Sequence, residues 1–234
     1  MNKINVLKSN IEQAKYLAEE SILLYNDNSP LRLCLLGFPP IGTVIDTILT
    51  SKGQKICYNR LLSFFHNLEN EIKEIDERLI NLEFIESEEF YDLLVKSIEF
   101  SIKTRHDEKR KLYARIIKNR SIVEEVELNH EYYLYIINDL SIEELLVAKK
   151  IYELKTTDEY QKLIEVQKSK TDRSVQDKDI LALTDLEFEK DDYTFILLRL
   201  EKAGLIKEKT EWFLGWEGGV YDITKIFEKL MKQI

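Results

Sequence analysis

The chain has 234 residues, with 34 Lys and Arg against 43 Asp and Glu, for a formal net charge of −9. With 44% apolar residues but only 7 Gly and 3 Pro, the composition excludes a β-sandwich, a collagen-like chain and a disordered one. A sequence pI near 5.1 argues against non-specific nucleic-acid binding by the chain as a whole.

Two cysteines, Cys34 and Cys57, build neither a disulfide framework nor a CxxC metal clip, so a reduced, cytoplasmic setting is expected. The N-terminal residues lack the apolar core of a secretory signal.

In chain order, Ile4, Leu7, Ile11, Ala14 and Ala18 fall on one stripe and predict a helix over 4–25. Asn26 to Pro30 stop it. Residues 31–49, LRLCLLGFPPIGTVIDTIL, form the most apolar stretch, but Arg32, Asp46, two glycines and Pro39-Pro40 interrupt it. A buried connector is expected there rather than a stable membrane span; a latent inserting hairpin is the competing reading.

From Gly53 to Glu83, the residues Leu61, Phe65, Leu68, Ile72, Ile75, Leu79 and Leu82 alternate spacings of 4 and 3. That is a heptad seam and predicts one long helix; its partner is the first helix of the same chain or a second copy, with the first helix favoured because it carries a matching stripe. Ser87 then caps a helix to Lys103, and further helices are predicted over 107–118, 130–140 and 142–154. Ser141 and Glu144 form a capping box ahead of the last of these.

A polar helix and a stretch without apolar period, Lys168 to Lys178, come next. Tyr193, Ile196, Leu197 and Leu200 predict a helix over 189–203, ended by Gly204. LIKEK and VYDIT predict two short strands around the turn TEWFLGWEGG, and Thr224 caps a final amphipathic helix.

The fold class expected is mainly α: an all-α domain over 1–140, then a small α+β module over 141–234. Leu198 to Ile206, followed by Val220 to Thr224, resemble a winged helix-turn-helix domain. That resemblance implies a third helix able to read DNA. Here, however, residues 141–234 hold sixteen basic against twenty acidic residues, and the turn carries Trp212, Phe213 and Trp216 beside Glu211 and Glu217. Protein docking through Trp212 and Trp216 is therefore the expectation.

GFPPIGTVIDTIL, the charged helix with Arg60, and SIEFSIKTRHDEKRKLYARIIKN resemble bacterial helical proteins of the Abi-alpha type over residues 31–120. The resemblance implies a role in prokaryotic stress or phage defence and brings no catalytic motif.

None of His66, His106 and His130 belongs to an HExxH motif, and no nucleophile elbow, P-loop or dinucleotide fingerprint occurs. His66 is expected to be partly buried. Asp185, Glu187 and Glu189 alternate, which sets them on one face of an extended segment as an oxygen-ligand cation site requires, but the spacing matches no EF-hand, so a solvated acidic loop is expected. No enzyme activity, metal or cofactor is expected.

Charge is polarised instead. Residues 103–120 are net +6 and residues 69–89 net −7. Lys103, Arg105, Lys109, Arg110, Lys111 and Arg115 are a candidate patch for an anionic partner; mutual neutralisation with 69–89 is the favoured alternative. The leading functional reading is a non-enzymatic cytoplasmic bacterial interaction protein with a protein partner or a homodimer, acting in phage defence or stress response. Two others stay open: a winged-helix DNA-binding regulator, and a membrane-active effector using 31–49.

Overall fold

The computed structural model describes residues 3–24, 51–73, 75–122, 130–156, 162, 177–181, 186–209 and 219–234. They gather into two compact units, Met1–Asn138 and Asp139–Ile234. As composition and periodicity led us to expect, the chain is mainly helical, with a small antiparallel hairpin near its C-terminus. The apolar stretch 31–49 lies outside the described residues.

The first unit begins with α1 (Lys3–Leu24) and α2 (Ser51–Lys73). After a 3₁₀ turn, Glu77–Leu79, come α3 (Leu82–Ile85), α4 (Glu88–Lys103), α5 (Asp107–Ser121) and α6 (His130–Asp139). Leu61, Phe65, Leu68 and Ile72 of the heptad seam are all buried. Phe64 is also fully buried and meets Phe65 edge-on at 5.3 Å. Phe64 widens the apolar face beyond a two-helix seam, so α2 needs more than one neighbour. Its contacts run chiefly to α5, then to α4, and less to α1. The expected pairing with the first helix is thus the smallest of three.

The long helix is also shorter than its period predicts. It stops at Lys73, and Asp76 starts the 3₁₀ turn by accepting from the Arg78 backbone N–H at 3.0 Å. An Asp side chain that bonds its neighbouring backbone competes with helix continuation. The Arg78 guanidinium, bonded to the same carboxyl, holds Asp76 at about 2, well below the carboxylate range. The turn leaves Leu79 48% exposed and sends Ile80 into the core, where it bridges to Ile122. The seam is therefore sound to Ile72 and wrong beyond it.

Local chemistry accounts for the other starts. Ser87 Oγ accepts from the Phe90 N–H at 3.3 Å, and acids fill the first turn of α4. Phe100 of α4 packs against Tyr113 of α5 and Tyr135 of α6, joining the three helices.

The second unit comprises α7 (Ile142–Thr156), α8 (Asp177–Leu181), α9 (Lys190–Lys202), β1 (Ile206–Glu208), β2 (Tyr221–Ile223) and α10 (Lys225–Gln233). The capping box forms: Ser141 Oγ accepts from the Glu144 N–H at 3.0 Å, and Glu144 Oε2 from the Ser141 N–H at 2.7 Å. Gly204, at φ 72°, ends α9. Its N–H donates to Glu201 O, and the Leu205 N–H to Leu200 O, the two hydrogen bonds of a Schellman end. Leu205 and Leu200 are both fully buried, so the turn delivers the chain into β1. β1 and β2 pair antiparallel, with Ile206 opposite Ile223 and Glu208 opposite Tyr221.

The stretch Lys168–Lys178, which lacks apolar period, ends in ordered structure. Asp177 opens α8 and is 4% exposed. Its carboxylate accepts from Lys155 Nζ at 3.0 and 3.1 Å and from the Tyr221 N–H, while its own N–H reaches Gly219 O. Lys155 Nζ also donates to Tyr221 O. One buried ion pair thus ties α7, α8 and β2 together, which periodicity cannot register because both residues are polar.

Candidate interaction surfaces

The basic helix α5 is amphipathic in an unusual sense, because two of its cations lie on its buried side. Lys109 and Arg110 are each 7% exposed. Lys109 Nζ donates to Asn138 O at 2.9 Å. Arg110 donates to Thr104 O at 3.0 Å, to Ser63 Oγ at 3.1 Å and to Asp107 Oδ1 at 3.2 Å. Burying a charge is costly unless it is paired and hydrogen-bonded, so these cations serve the interior. Neither is available to a surface partner, which corrects their place in the candidate patch.

Asp107 completes this cluster by also accepting from Ser63 Oγ and Asn67 Nδ2. Burial alone would raise its carboxyl. The bonds from Ser63, Lys111 and Asn67, with the Arg110 charge, outweigh that and hold it below the ordinary value.

The expected neutralisation between 103–120 and 69–89 involves particular residues. Glu71 lies 3.2 Å from Arg115 Nε and 3.4 Å from Lys118 Nζ. Arg120 meets Glu89 at 3.2 Å and lies over the Phe84 ring at 3.9 Å. Arg110 finds its acid in Asp107 instead, Lys111 meets the same Asp107 at 3.4 Å, and Lys103 meets Glu99 at 2.8 Å. Arg105 Nε donates to His106 Nε2 at 3.1 Å. Of the six patch residues, Lys103, Arg105 and Lys111 are exposed.

The histidines are scattered. His66 is exposed and bonds Asn70, against the partly buried position expected. His106 precedes α5, and His130 is buried edge-on to Tyr133. Among the described residues, no group of three or more His, Cys, Asp or Glu could hold a metal ion. Cys57 is buried, and burial raises its thiol against the opposing Arg60 charge. Cys34 and Asp185 lie outside the described residues, as do Trp212, Phe213 and Trp216. Glu187 and Glu189 face outward, while Phe188 packs edge-on against Tyr193.

The most distinctive surface is on α9. Tyr193, Ile196, Leu197 and Leu200 turn inward, as predicted. Phe195 and Leu198 turn outward, 64% and 53% exposed. Asp191, Asp192 and Lys202 are exposed beside them. Arg199 is not free to join them. Its Nε donates to Glu144 Oε1 at 3.0 Å, and its Nη2 to Asp139 O at 3.0 Å and Oδ2 at 3.1 Å. The Glu144 bond raises the guanidinium pKa further above its ordinary value. Sequence reasoning missed Phe195 and Leu198, although apolar residues on both sides of one short helix were the available signal.

The profile of the family described as abortive infection alpha matches residues 64–234. The chain belongs to the abortive infection alpha family. The match contains α5 and the whole second unit, so the family region extends far past the 31–120 span that carried the resemblance. The apolar stretch 31–49 precedes it. No curated protein and no solved structure matches the chain. No helix among the described residues is long and apolar enough to cross a membrane. Within this abortive infection alpha chain, both α9 and the buried cations of α5 fall inside the family region.

Proposed function

We propose that this abortive infection alpha chain is a non-enzymatic, cytoplasmic bacterial protein that acts in phage defence through protein contacts. The second unit is then a winged-helix-like docking module, with α9 as its docking helix. One observation carries the reading: α9 exposes Phe195 and Leu198 while its Arg199 is turned onto Glu144 and Asp139. Exposed large aromatic and aliphatic side chains suit protein contacts. A DNA-reading helix needs cations facing phosphate, whereas α9 carries Asp191 and Asp192 in its first turn.

The test is phage challenge of cells producing the wild-type chain or Phe195→Ala/Leu198→Ala. The double variant should lose protection while keeping wild-type helicity and melting temperature. A parallel low-salt titration of the purified chain with duplex DNA should show no binding. Binding that Lys202→Ala weakens would replace this reading with the DNA-regulator one.

A further inference from the structure

The outward stripe of α9 is symmetric about its own midpoint. Asp191, Phe195, Leu198 and Lys202 follow one another at spacings of 4, 3 and 4. Such spacings keep all four on one side of a helix, and all four are exposed. Two copies of α9 laid antiparallel about a twofold axis through that midpoint place Asp191 opposite the second copy's Lys202. The same operation places Phe195 opposite the second copy's Leu198. Both relations occur twice, the signature of an isologous contact.

We infer that the outward face of α9 docks a second copy of this chain, in an antiparallel pair closed by Asp191–Lys202 and Phe195–Leu198 contacts. The inference rests on the docking reading above and names the partner. Charge complementarity selects that partner: the stripe is acidic at one end, basic at the other and apolar between, so it complements its own reverse. A parallel arrangement would set Asp191 against Asp191 and Lys202 against Lys202. Arg199 does not disturb the pairing, because Glu144 and Asp139 hold it to one side. A four-residue stripe is small beside the roughly 1,200–2,000 Å² of a standard stable interface. Pairing is therefore weak and concentration-dependent.

Sedimentation velocity from about 5 to about 500 µM tests this. The wild-type chain should move from monomer towards dimer across that range. Asp191→Lys and Lys202→Asp should each weaken pairing at least tenfold, with the circular dichroism of a folded chain and only the small drop in melting temperature that a charge reversal at a helix end brings. Mixed together, the two single variants should form a heterodimer, because each then meets its opposite charge twice. Asp191→Lys/Lys202→Asp in one chain should regain the homodimer. A wild-type chain that stays monomeric overturns the inference, as do single variants that pair like wild type or a mixture that stays monomeric. If the chain is monomeric yet Phe195→Ala/Leu198→Ala loses phage protection, self-pairing falls and the docking reading stands. If pairing follows the swaps but protection ignores Phe195 and Leu198, the docking role in defence falls alone.

Discussion

Glu144 Oε1 accepts from Arg199 Nε at 3.0 Å, while Oε2 of the same carboxylate accepts from the Ser141 N–H at 2.7 Å. A single side chain thereby starts α7 and restrains the cation of α9. The capping box is local and legible; the second bond joins residues 55 positions apart. Glu144→Ala should lower stability by about 1–3 kcal/mol, since it removes charged hydrogen bonds at a buried site. Urea denaturation checks this, and an unchanged midpoint would mean that Arg199 and Ser141 satisfy themselves elsewhere.

The Lys155–Asp177 pair should be more sensitive. Its side chains are 11% and 6% exposed, and the carboxylate also holds the Tyr221 N–H. Asp177→Ala leaves a buried ammonium with an acceptor lost, and should cost about 3–5 kcal/mol. Thermal melts of Asp177→Ala and Asp177→Asn separate charge from hydrogen bonding. The Asn variant should recover part of the loss, because its amide oxygen still accepts from the Tyr221 N–H.

Ile72 and Leu79 separate the true seam from its apparent extension. Ile72→Ala should cost about 2–5 kcal/mol through the cavity it leaves in a packed interior. Leu79→Ala should stay within about 0.5 kcal/mol, as expected for an exposed side chain. Equal losses at the two positions would restore the uninterrupted helix.

Glu71 lies between Arg115 and Lys118, so charge reversal should behave asymmetrically. Glu71→Lys should destabilise more than Arg115→Glu, because it opposes two cations. The double reversal should recover only part of the loss, with a coupling of about 0.5–1 kcal/mol, since Lys118 remains. Strict additivity in a double-mutant cycle would show that the pair contributes nothing.

Asp107 sets a pH dependence. Its folded carboxyl titrates below the ordinary value, so the folded state favours the ionised form. The resulting stability is complete above about pH 4 and is lost as pH falls through the folded value. Asp107→Asn should be less stable than wild type at neutral pH, with the gap narrowing below about pH 4. Urea midpoints from neutral to acidic pH measure it; a constant gap would rule out titration of this carboxyl as the cause.

What the amino-acid sequence determined by itself was whatever rests on local spacing and capping. Leu7 and Ile11, the run from Leu61 to Ile72, the Ser87 and Thr224 caps, the Ser141–Glu144 box and the Gly204 stop all encode their structure within a few residues. Tertiary structure decided the fate of the charges. Lys109 and Arg110 carry the same charge as Lys103 and Lys111, yet the first two are buried and the last two exposed. What separates them is whether a distant acceptor, such as Asn138 O or Ser63 Oγ, meets the side chain in the interior. The same holds for Arg199, turned aside by residues 55 and 60 positions away, and for Phe195 and Leu198, left outside because four other apolar residues of α9 already fill the core. Periodicity reports which residues share a face; only the packed chain sets which face is covered and which cation has already found its acid.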